Sequence, residues 1–418
     1  MKKAYIETYG CSANQSHSEV MVSILKENGF EIVRDIDKSD VIIINTCIVK
    51  TPTENRMRTR VKFFVENYPE KKLVIAGCAA DAERGMFKKI APSAVFLSSH
   101  ESKKIGRIIL GKKARLPSKK IRFNPVIGIV EIASGCLGSC SYCITKLARG
   151  KLKSRNTDEI ICEVENLVKD GCKEIWLTSQ DNGCYGLDIG TNIVELLRSV
   201  VAVDGDFRIR LGMMNPAHLK NMIDDLVSIL DNEKIYKFVH IPVQSGSNRI
   251  LRLMKRGYAV GDFLRIVDVF RGTIPDLTIS TDVIVGFPGE TREDFEQTLK
   301  LLTKVKPDIV NISKFGSRPG TEAARMKQLD NKIVKQRSVY TVRITREIAE
   351  ERNSRWIGKE CVILVNEKGK RKNQFVGRNE YYKPVVVASK KNVMGNFVKV
   401  KITENLGTAL LGEIKNLV

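Results

Sequence analysis

Cys136, Cys140 and Cys143 fall within eight residues at C-x3-C-x2-C spacing, in Gly135-Cys136-Leu137-Gly138-Ser139-Cys140-Ser141-Tyr142-Cys143. Thiolates this close, on a Gly/Ser loop free to wrap, can ligate one soft metal centre. A fourth cysteine is missing nearby. A structural zinc site closes its shell with four protein ligands, and an electron-transfer iron–sulfur cluster takes four cysteines. Three cysteines on a four-iron cluster leave one iron open for another ligand. A zinc site completed by histidine or a remote cysteine is the competing reading. None of the histidines (His17, His100, His218, His240) adjoins the loop. Cys162, Cys172, Cys184 and Cys361 read as core or incidental, although Cys184 lies in a loop, 180–185, at the expected active face.

A second set is dispersed. Cys11, Cys47 and Cys78 each follow the carboxyl end of an expected strand (4–8, 41–45 and 73–76), with helices expected at 16–28 and 54–67. This alternation reads as a small doubly wound α/β domain over residues 1–110. In an open parallel sheet the strand carboxyl ends converge on one crevice, so three residues far apart in sequence can meet. The alternative is three small buried hydrophobes; the same position repeated on three strands argues against it.

The elements that must position the close triad begin at Val126. Apolar, β-branched runs place strands near 126–132, 174–179, 208–213, 237–243, 278–285 and 308–315, with helices between, for example 158–169 and 292–305. Six βα units fall short of the eight of a closed barrel, so an open partial barrel over 122–352 is expected, with its active face at the strand carboxyl ends. The cysteine loop follows the first of these strands and so sits on that face. A long helical pattern runs from 332 to about 352. From 354 the chain turns β-branched and turn-rich, with short strands at 361–365, 374–377, 384–388, 397–402 and 409–414. Five short strands suggest a small antiparallel barrel of OB type. Its aromatics Phe375, Tyr381, Tyr382 and Phe397 read either as core or as an RNA-stacking set.

Lys and Arg total 70 against 48 Asp and Glu, a formal net charge of +22 over 418 residues. Such an excess favours a polyanionic partner, nucleic acid ahead of a membrane surface. Between 103 and 122 there are nine basic residues and no acidic one, marking a linker or a loop that lies on a polyanion. The 354–418 tail carries 13 Lys/Arg against 5 Glu. No apolar run reaches the length of a membrane span, and the start lacks a signal-peptide pattern. A soluble, cytoplasmic chain is expected, in which ten cysteines point to metal or catalysis rather than disulfides.

The triad with Tyr142 before its last thiol resembles the radical S-adenosylmethionine superfamily. That resemblance implies a [4Fe–4S] cluster on Cys136, Cys140 and Cys143 whose open iron takes the amine and carboxylate of S-adenosylmethionine. Across the chain, Cys11, Cys47 and Cys78, the motifs His240-Ile241-Pro242-Val243-Gln244-Ser245-Gly246-Ser247 and Asp282-Val283-Ile284-Val285-Gly286-Phe287-Pro288-Gly289-Glu290-Thr291, and a tail similar to a TRAM domain resemble the methylthiotransferases. The resemblance implies a second [4Fe–4S] cluster on Cys11, Cys47 and Cys78 that carries the sulfur. It implies S-adenosylmethionine as both methyl donor and radical source, with a reductant such as ferredoxin or flavodoxin and a sulfur donor as partners. Thr178-Ser179-Gln180-Asp181-Asn182-Gly183-Cys184-Tyr185-Gly186 and Arg318-Pro319-Gly320-Thr321-Glu322 are most similar to the archaeal and eukaryotic branch. That branch acts on N-threonylcarbamoyladenosine in tRNA, 3′ of the anticodon. Glu322 departs from the proline common in relatives. By position on the barrel face, Tyr142, Gln180, Asp181, Gln244, Ser245, Asp282 and Glu290 are the candidates to touch S-adenosylmethionine or nucleoside. Arg149, Lys153 and Arg155 are candidates for phosphate or the threonyl carboxylate, with plain surface charge as the alternative.

Overall fold

The computed structural model describes residues 1–49 and 51–417. Strands β1 (Lys3–Thr8), β2 (Glu31–Ile32), β3 (Val41–Thr46), β4 (Lys72–Gly77) and β5 (Val95–Leu97) form a parallel sheet in the order β2-β1-β3-β4-β5. The continuous apolar run of β3 serves both faces. Val41 and Ile43 pack with Met21, Ile24 and Leu25 of helix Ser12–Glu27, while Ile42 and Ile44 pack with Val61 and Phe64 of helix Thr51–Asn67. That two-sided burial is why no alternation shows in this strand. The first helix starts at Ser12, earlier than its apolar period suggests. Its opening turn is polar yet buried, with Asn14, Ser16 and Ser18 set against the strand ends.

The basic segment after residue 103 is not a free linker. Helix Ile105–Leu110 buries Ile105 and Ile109 against the first helix. Lys120 then donates to Ser16 Oγ at 2.7 Å and to the carbonyl of Ile129 at 2.8 Å, tying the first domain to the second.

The central domain opens with β6 (Ile127–Glu131), followed by a two-stranded ribbon, β7 (Ala133–Ser134) and β8 (Lys153–Ser154), which pinches off the cysteine loop at its base. Strands β9 (Glu174–Thr178), β10 (Arg208–Leu211), β11 (Phe238–His240), β12 (Thr278–Val285) and β13 (Ile309–Lys314) follow. β6-β9-β10 and β11-β12-β13 are parallel sheets. They join at Ile209, whose N–H donates to the carbonyl of Lys234 at 2.6 Å and whose carbonyl accepts from Tyr236 at 3.0 Å. The result is an open arc of six parallel strands in chain order with helices outside. This is the expected partial barrel.

Helix Asn331–Ser354 runs along β13 into the tail. There β14 (Glu360–Lys368), β15 (Gln374–Asn379), β16 (Pro384–Ala388), β17 (Phe397–Asn405) and β18 (Leu410–Leu417) close a barrel in the order β14-β15-β16-β18-β17. Its aromatics are turned inward rather than presented for stacking. Phe375 lies in the barrel core, and Tyr381 packs on Trp356. Tyr382 is buried against Tyr236 and Phe238 with its hydroxyl donated to Glu174 at 3.1 Å. The guanidinium of Arg208 lies over the Phe397 ring at 4.6 Å. Two fully buried carboxylates weld this barrel to the centre. Glu174 accepts from Trp176, Asn366 and both tyrosines, and Asp308 pairs with Arg352 and Lys383. Among the described residues no helix is long and apolar enough to cross a membrane.

Candidate active site

The close triad sits where β6 ends, on the carboxyl-end face of the arc. Gly135 enters the loop at φ +77°, and a Cβ there would lie 1.9 Å from the carbonyl oxygen of Lys151, so only glycine lets the two stems close. Its N–H donates to Gln180 Oε1 at 2.7 Å, which fixes the loop to the end of β9. Ser141 anchors the far side, its N–H and hydroxyl donating to the carbonyls of Met254 and Leu253 at 3.1 and 2.7 Å. All three cysteines are half-buried. Arg256, itself buried, donates to Cys140 Sγ at 3.2 Å, and the thiol of Cys184, close to Cys136, donates to the carbonyl of Asp181 at 3.1 Å. The neighbouring Cys184 lowers the Cys136 thiol below its usual range, whereas burial raises Cys143.

The dispersed triad assembles as the sheet order requires. Cys11 follows β1 and precedes the first helix, Cys47 follows β3, and Cys78 opens helix Cys78–Ala82 after β4. The switch point between β1 and β3 lies in their midst. Gly10 permits the approach, since a Cβ there would stand 2.6 Å from Cys47 Cβ. Asn14 donates at 2.8 Å to the carbonyls of both Tyr9 and Thr46, holding the two strand ends together. Burial pushes the Cys47 thiol up to about 11 and raises Cys78 as well. Such thiols stay protonated unless a cation or metal takes the proton's place.

The two triads meet across one seam. Helix Thr145–Arg149, directly after the close triad, packs on helix Cys78–Ala82. From it the buried Arg149 reaches through to the other triad. It donates to Cys78 Sγ at 3.3 Å and Asn14 Oδ1 at 3.0 Å, and lies 3.5 Å from Glu131 Oε1. Glu131 is held in turn by His17 at 2.8 Å, and Ser12 Oγ meets Thr178 Oγ1 at 2.8 Å. Arg318 pairs with Glu54 and donates to the carbonyl of Val49 at 3.0 Å, closing the seam beside the Cys47 loop.

The other expected residues divide. Tyr142 stands edge-on to Phe287 at the mouth of the arc, and Gln180 is committed to the loop. Gln244 takes φ +66°, unusual for a side chain with a Cβ, and is pinned by backbone bonds to β12. Asp282 accepts from His240 at 2.9 Å and from Asn311 at 2.8 Å on the arc's inner face. Ser245 and Glu290 are turned into the scaffold instead. The Ser245 hydroxyl is fully buried, meeting Thr298 and the Ser247 N–H, because the chain after β11 must seat on helix Arg292–Val305. Glu290 closes the Gly286–Glu290 turn by accepting from the Gly286 N–H at 2.8 Å and pairs with Arg337. Arg149 is buried at the seam rather than offered to phosphate. Arg155 pairs with Glu163 at 2.6 Å, while Lys153 is exposed. Glu322 is an exposed partner of Lys255, which accommodates the departure at that position.

Two features escaped the sequence reading. Arg256, in Lys255-Arg256-Gly257-Tyr258, carried no signal beyond one more basic residue. Asp181 was expected only as a substrate contact, yet it is buried, accepting from the Gly183 and Asn215 N–H groups and pairing with His218 at 2.8 Å. Burial opposes the charged His218, but Asp181 outweighs it and the pKa rises. With Cys184 these two form the one His/Cys/acid group among the described residues whose ligand atoms all lie within 4.8 Å. Neither cysteine triad draws together to such single-ion spacing. Sets of three soft thiols, each with a buried guanidinium on one sulfur, suit a multi-iron cluster bearing negative charge better than a zinc ion.

Three family models match along the chain. Residues 130–302 match the radical SAM superfamily, residues 3–98 the uncharacterized protein family UPF0004, and residues 354–415 the TRAM domain. A probable threonylcarbamoyladenosine tRNA methylthiotransferase of Methanothermobacter thermautotrophicus is 41% identical over 426 residues, covering 98% of this chain and 99% of that protein. The threonylcarbamoyladenosine tRNA methylthiotransferase of Homo sapiens is 37% identical over 426 residues, covering 97% of this chain and 72% of that protein. Among solved structures, the radical S-adenosylmethionine methyltransferase TsrM from Kitasatospora setae, with cobalamin and a [4Fe-4S] cluster bound, superposes at a TM-score of 0.57. At 15% identity, over 78% of this chain and 77% of that one, it shows the fold alone.

Proposed function

The chain belongs to the threonylcarbamoyladenosine tRNA methylthiotransferases, a family of radical S-adenosylmethionine enzymes, and on that premise we propose that it adds a methylthio group to carbon 2 of N-threonylcarbamoyladenosine beside the tRNA anticodon. The observation that carries this reading is the seam itself: the short helix that follows the close triad brings Arg149 onto Cys78 of the dispersed one, and each set supplies three thiols. When bound, a [4Fe–4S] cluster at Cys136, Cys140 and Cys143 supplies the electron that cleaves S-adenosylmethionine, and a second at Cys11, Cys47 and Cys78 offers an open iron for the sulfur. A reductant such as ferredoxin or flavodoxin and a sulfur donor complete the partners.

The chain's own residues do the positioning. Gln180 holds Gly135, and with it the loop, against β9. Arg256 and Arg149 place positive charge beside one sulfur of each triad, and at Cys78 that charge opposes the burial that disfavours the thiolate. This reading assigns Tyr142 beside Phe287, Gln244 after β11 and Asp282 on β12 to S-adenosylmethionine bound at the close triad. The test is mass spectrometry of tRNA nucleosides from a strain lacking the gene. Loss of the 2-methylthio form with accumulation of the unmodified threonylcarbamoyladenosine is expected. An unchanged nucleoside profile contradicts the assignment.

A further inference from the structure

The first domain's sheet lacks one covering element. In a doubly wound sheet of this order, the connection from β2 to β3 carries a helix over β1 on the face opposite the first helix. Here residues 33–40 supply only a short turn, Ile36–Lys38, which passes under the amino end of β1. Ala4 and Ile6 face the first helix, so Tyr5, Glu7 and Tyr9 project from the uncovered face. Helix Thr51–Asn67 borders that face and leaves a groove of 820 Å³ lined by Tyr5, Glu7, Tyr9, Arg56, Arg60 and Phe63, among others.

The groove's chemistry is that of a nucleotide site. The only carboxylate, Glu7, is fully engaged: it accepts from the Tyr5 hydroxyl at 2.7 Å, the Tyr9 hydroxyl at 2.8 Å and Arg60 at 2.6 Å. Arg60 is thereby neutralised and held against the rings of Phe63 and Phe64. Arg56 is exposed, its guanidinium 5.5 Å from the centroid of the Tyr9 ring. Glu7 thus fixes the two tyrosine rings, while Arg56 has no carboxylate partner among the described residues. Fixed aromatic rings beside an exposed guanidinium suit an unstacked base and its phosphate. Tyr9, in the groove's lining, is two residues from Cys11 along the chain.

We propose that this groove binds one unstacked nucleotide of the RNA substrate, a neighbour in sequence of the modified adenosine, with its base on Tyr9 and its phosphate at Arg56. The proposal rests on the tRNA reading above and adds a place for a flanking nucleotide outside the partial barrel. A base splayed here holds the loop open and delivers the adjacent adenosine to the seam.

The experiment is a binding cycle with the full-length, cluster-reconstituted protein and an anticodon stem-loop carrying an abasic residue at each loop position in turn. At one position flanking the target adenosine, removal of the base weakens wild-type binding about tenfold, the scale of one lost stacking contact. The same abasic RNA binds Tyr9→Ala no more weakly than intact RNA does, because the partner ring is already gone. Tyr9→Phe, which keeps the ring, restores sensitivity to the abasic site. Arg56→Gln, on an exposed helix surface, weakens all the RNAs and lowers the salt dependence by about one counterion. Tight wild-type binding with no position coupled to Tyr9 overturns the groove while leaving the function intact. Failure of the wild-type protein to bind the stem-loop at all overturns the tRNA reading on which the groove depends.

Discussion

Replacing Arg149 perturbs the dispersed triad from the opposite domain, through a single guanidinium. That group lies 3.3 Å from Cys78 Sγ, and charge taken up by a cluster held there would be spread beyond that sulfur, on the order of 6 Å from the guanidinium. At an effective dielectric of ~20, two unit charges at ~6 Å interact by about 3 kcal/mol. For a one-electron couple this corresponds to about 120 mV, at ~59 mV per tenfold change in equilibrium constant. A positive charge favours the reduced cluster, so Arg149→Met lowers the potential by that order, and Arg149→Lys, which keeps the charge but loses the fork, lowers it less. The assay is a redox titration followed by electron paramagnetic resonance in a Cys136→Ala background, where only the site at Cys11, Cys47 and Cys78 is loaded. A shift below about 20 mV at full iron content, a third of the ~59 mV decade, refutes the claim that Arg149 acts on this site electrostatically.

Two further outcomes follow from the barrel that closes the chain. Asp308 is buried between Lys383 and Arg352, so Asp308→Asn strands two cations and costs about 3 kcal/mol in urea unfolding. Burial alone would raise the Asp308 pKa, but the two cations outweigh it and the net shift is downward. Its contribution is therefore intact above the unfolded carboxylate range near pH ~4 and is lost as pH falls through the lower folded value. A loss below about 1 kcal/mol argues that the pair does not weld the barrel to the core. On the barrel's outer rim, Lys370, Arg371 and Lys372 are exposed in the β14–β15 turn. Replacing all three with alanine flattens the slope of log K against log salt for tRNA by about 2–3. An unchanged slope places the phosphate contacts elsewhere.

Much of the framework was legible because its signals are local. The β-branched runs at 41–46 and 278–285 and the helix at 292–305 declare themselves by period and capping, and the cysteines mark strand ends. The joining of distant charges was not legible. Arg149 resembled a surface base because its partners, Cys78, Asn14 and Glu131, come from three other elements. Ser245 and Glu290 sit in motifs that face the active side, yet their side chains turn back into helix packing, a direction that residue order does not encode. The barrel aromatics were ambiguous in sequence for a related reason. Whether Tyr382 stacks on RNA or seals an interface depends on Glu174, more than two hundred residues earlier. The missing crossover helix between β2 and β3 left no mark, since an eight-residue connection looks like any loop.

The central claim is a division of labour between the two triads, and paired cysteine variants test it most directly. Wild-type, Cys136→Ala and Cys47→Ala proteins are reconstituted anaerobically, reduced with S-adenosylmethionine, and assayed for 5′-deoxyadenosine and for thiomethylated tRNA. Cys136→Ala is expected to form neither product, because the site that binds S-adenosylmethionine is lost. Cys47→Ala is expected to form 5′-deoxyadenosine and no thiomethylated tRNA. If folded Cys47→Ala loses 5′-deoxyadenosine as completely as Cys136→Ala does, the two sites do not divide the chemistry and the account fails.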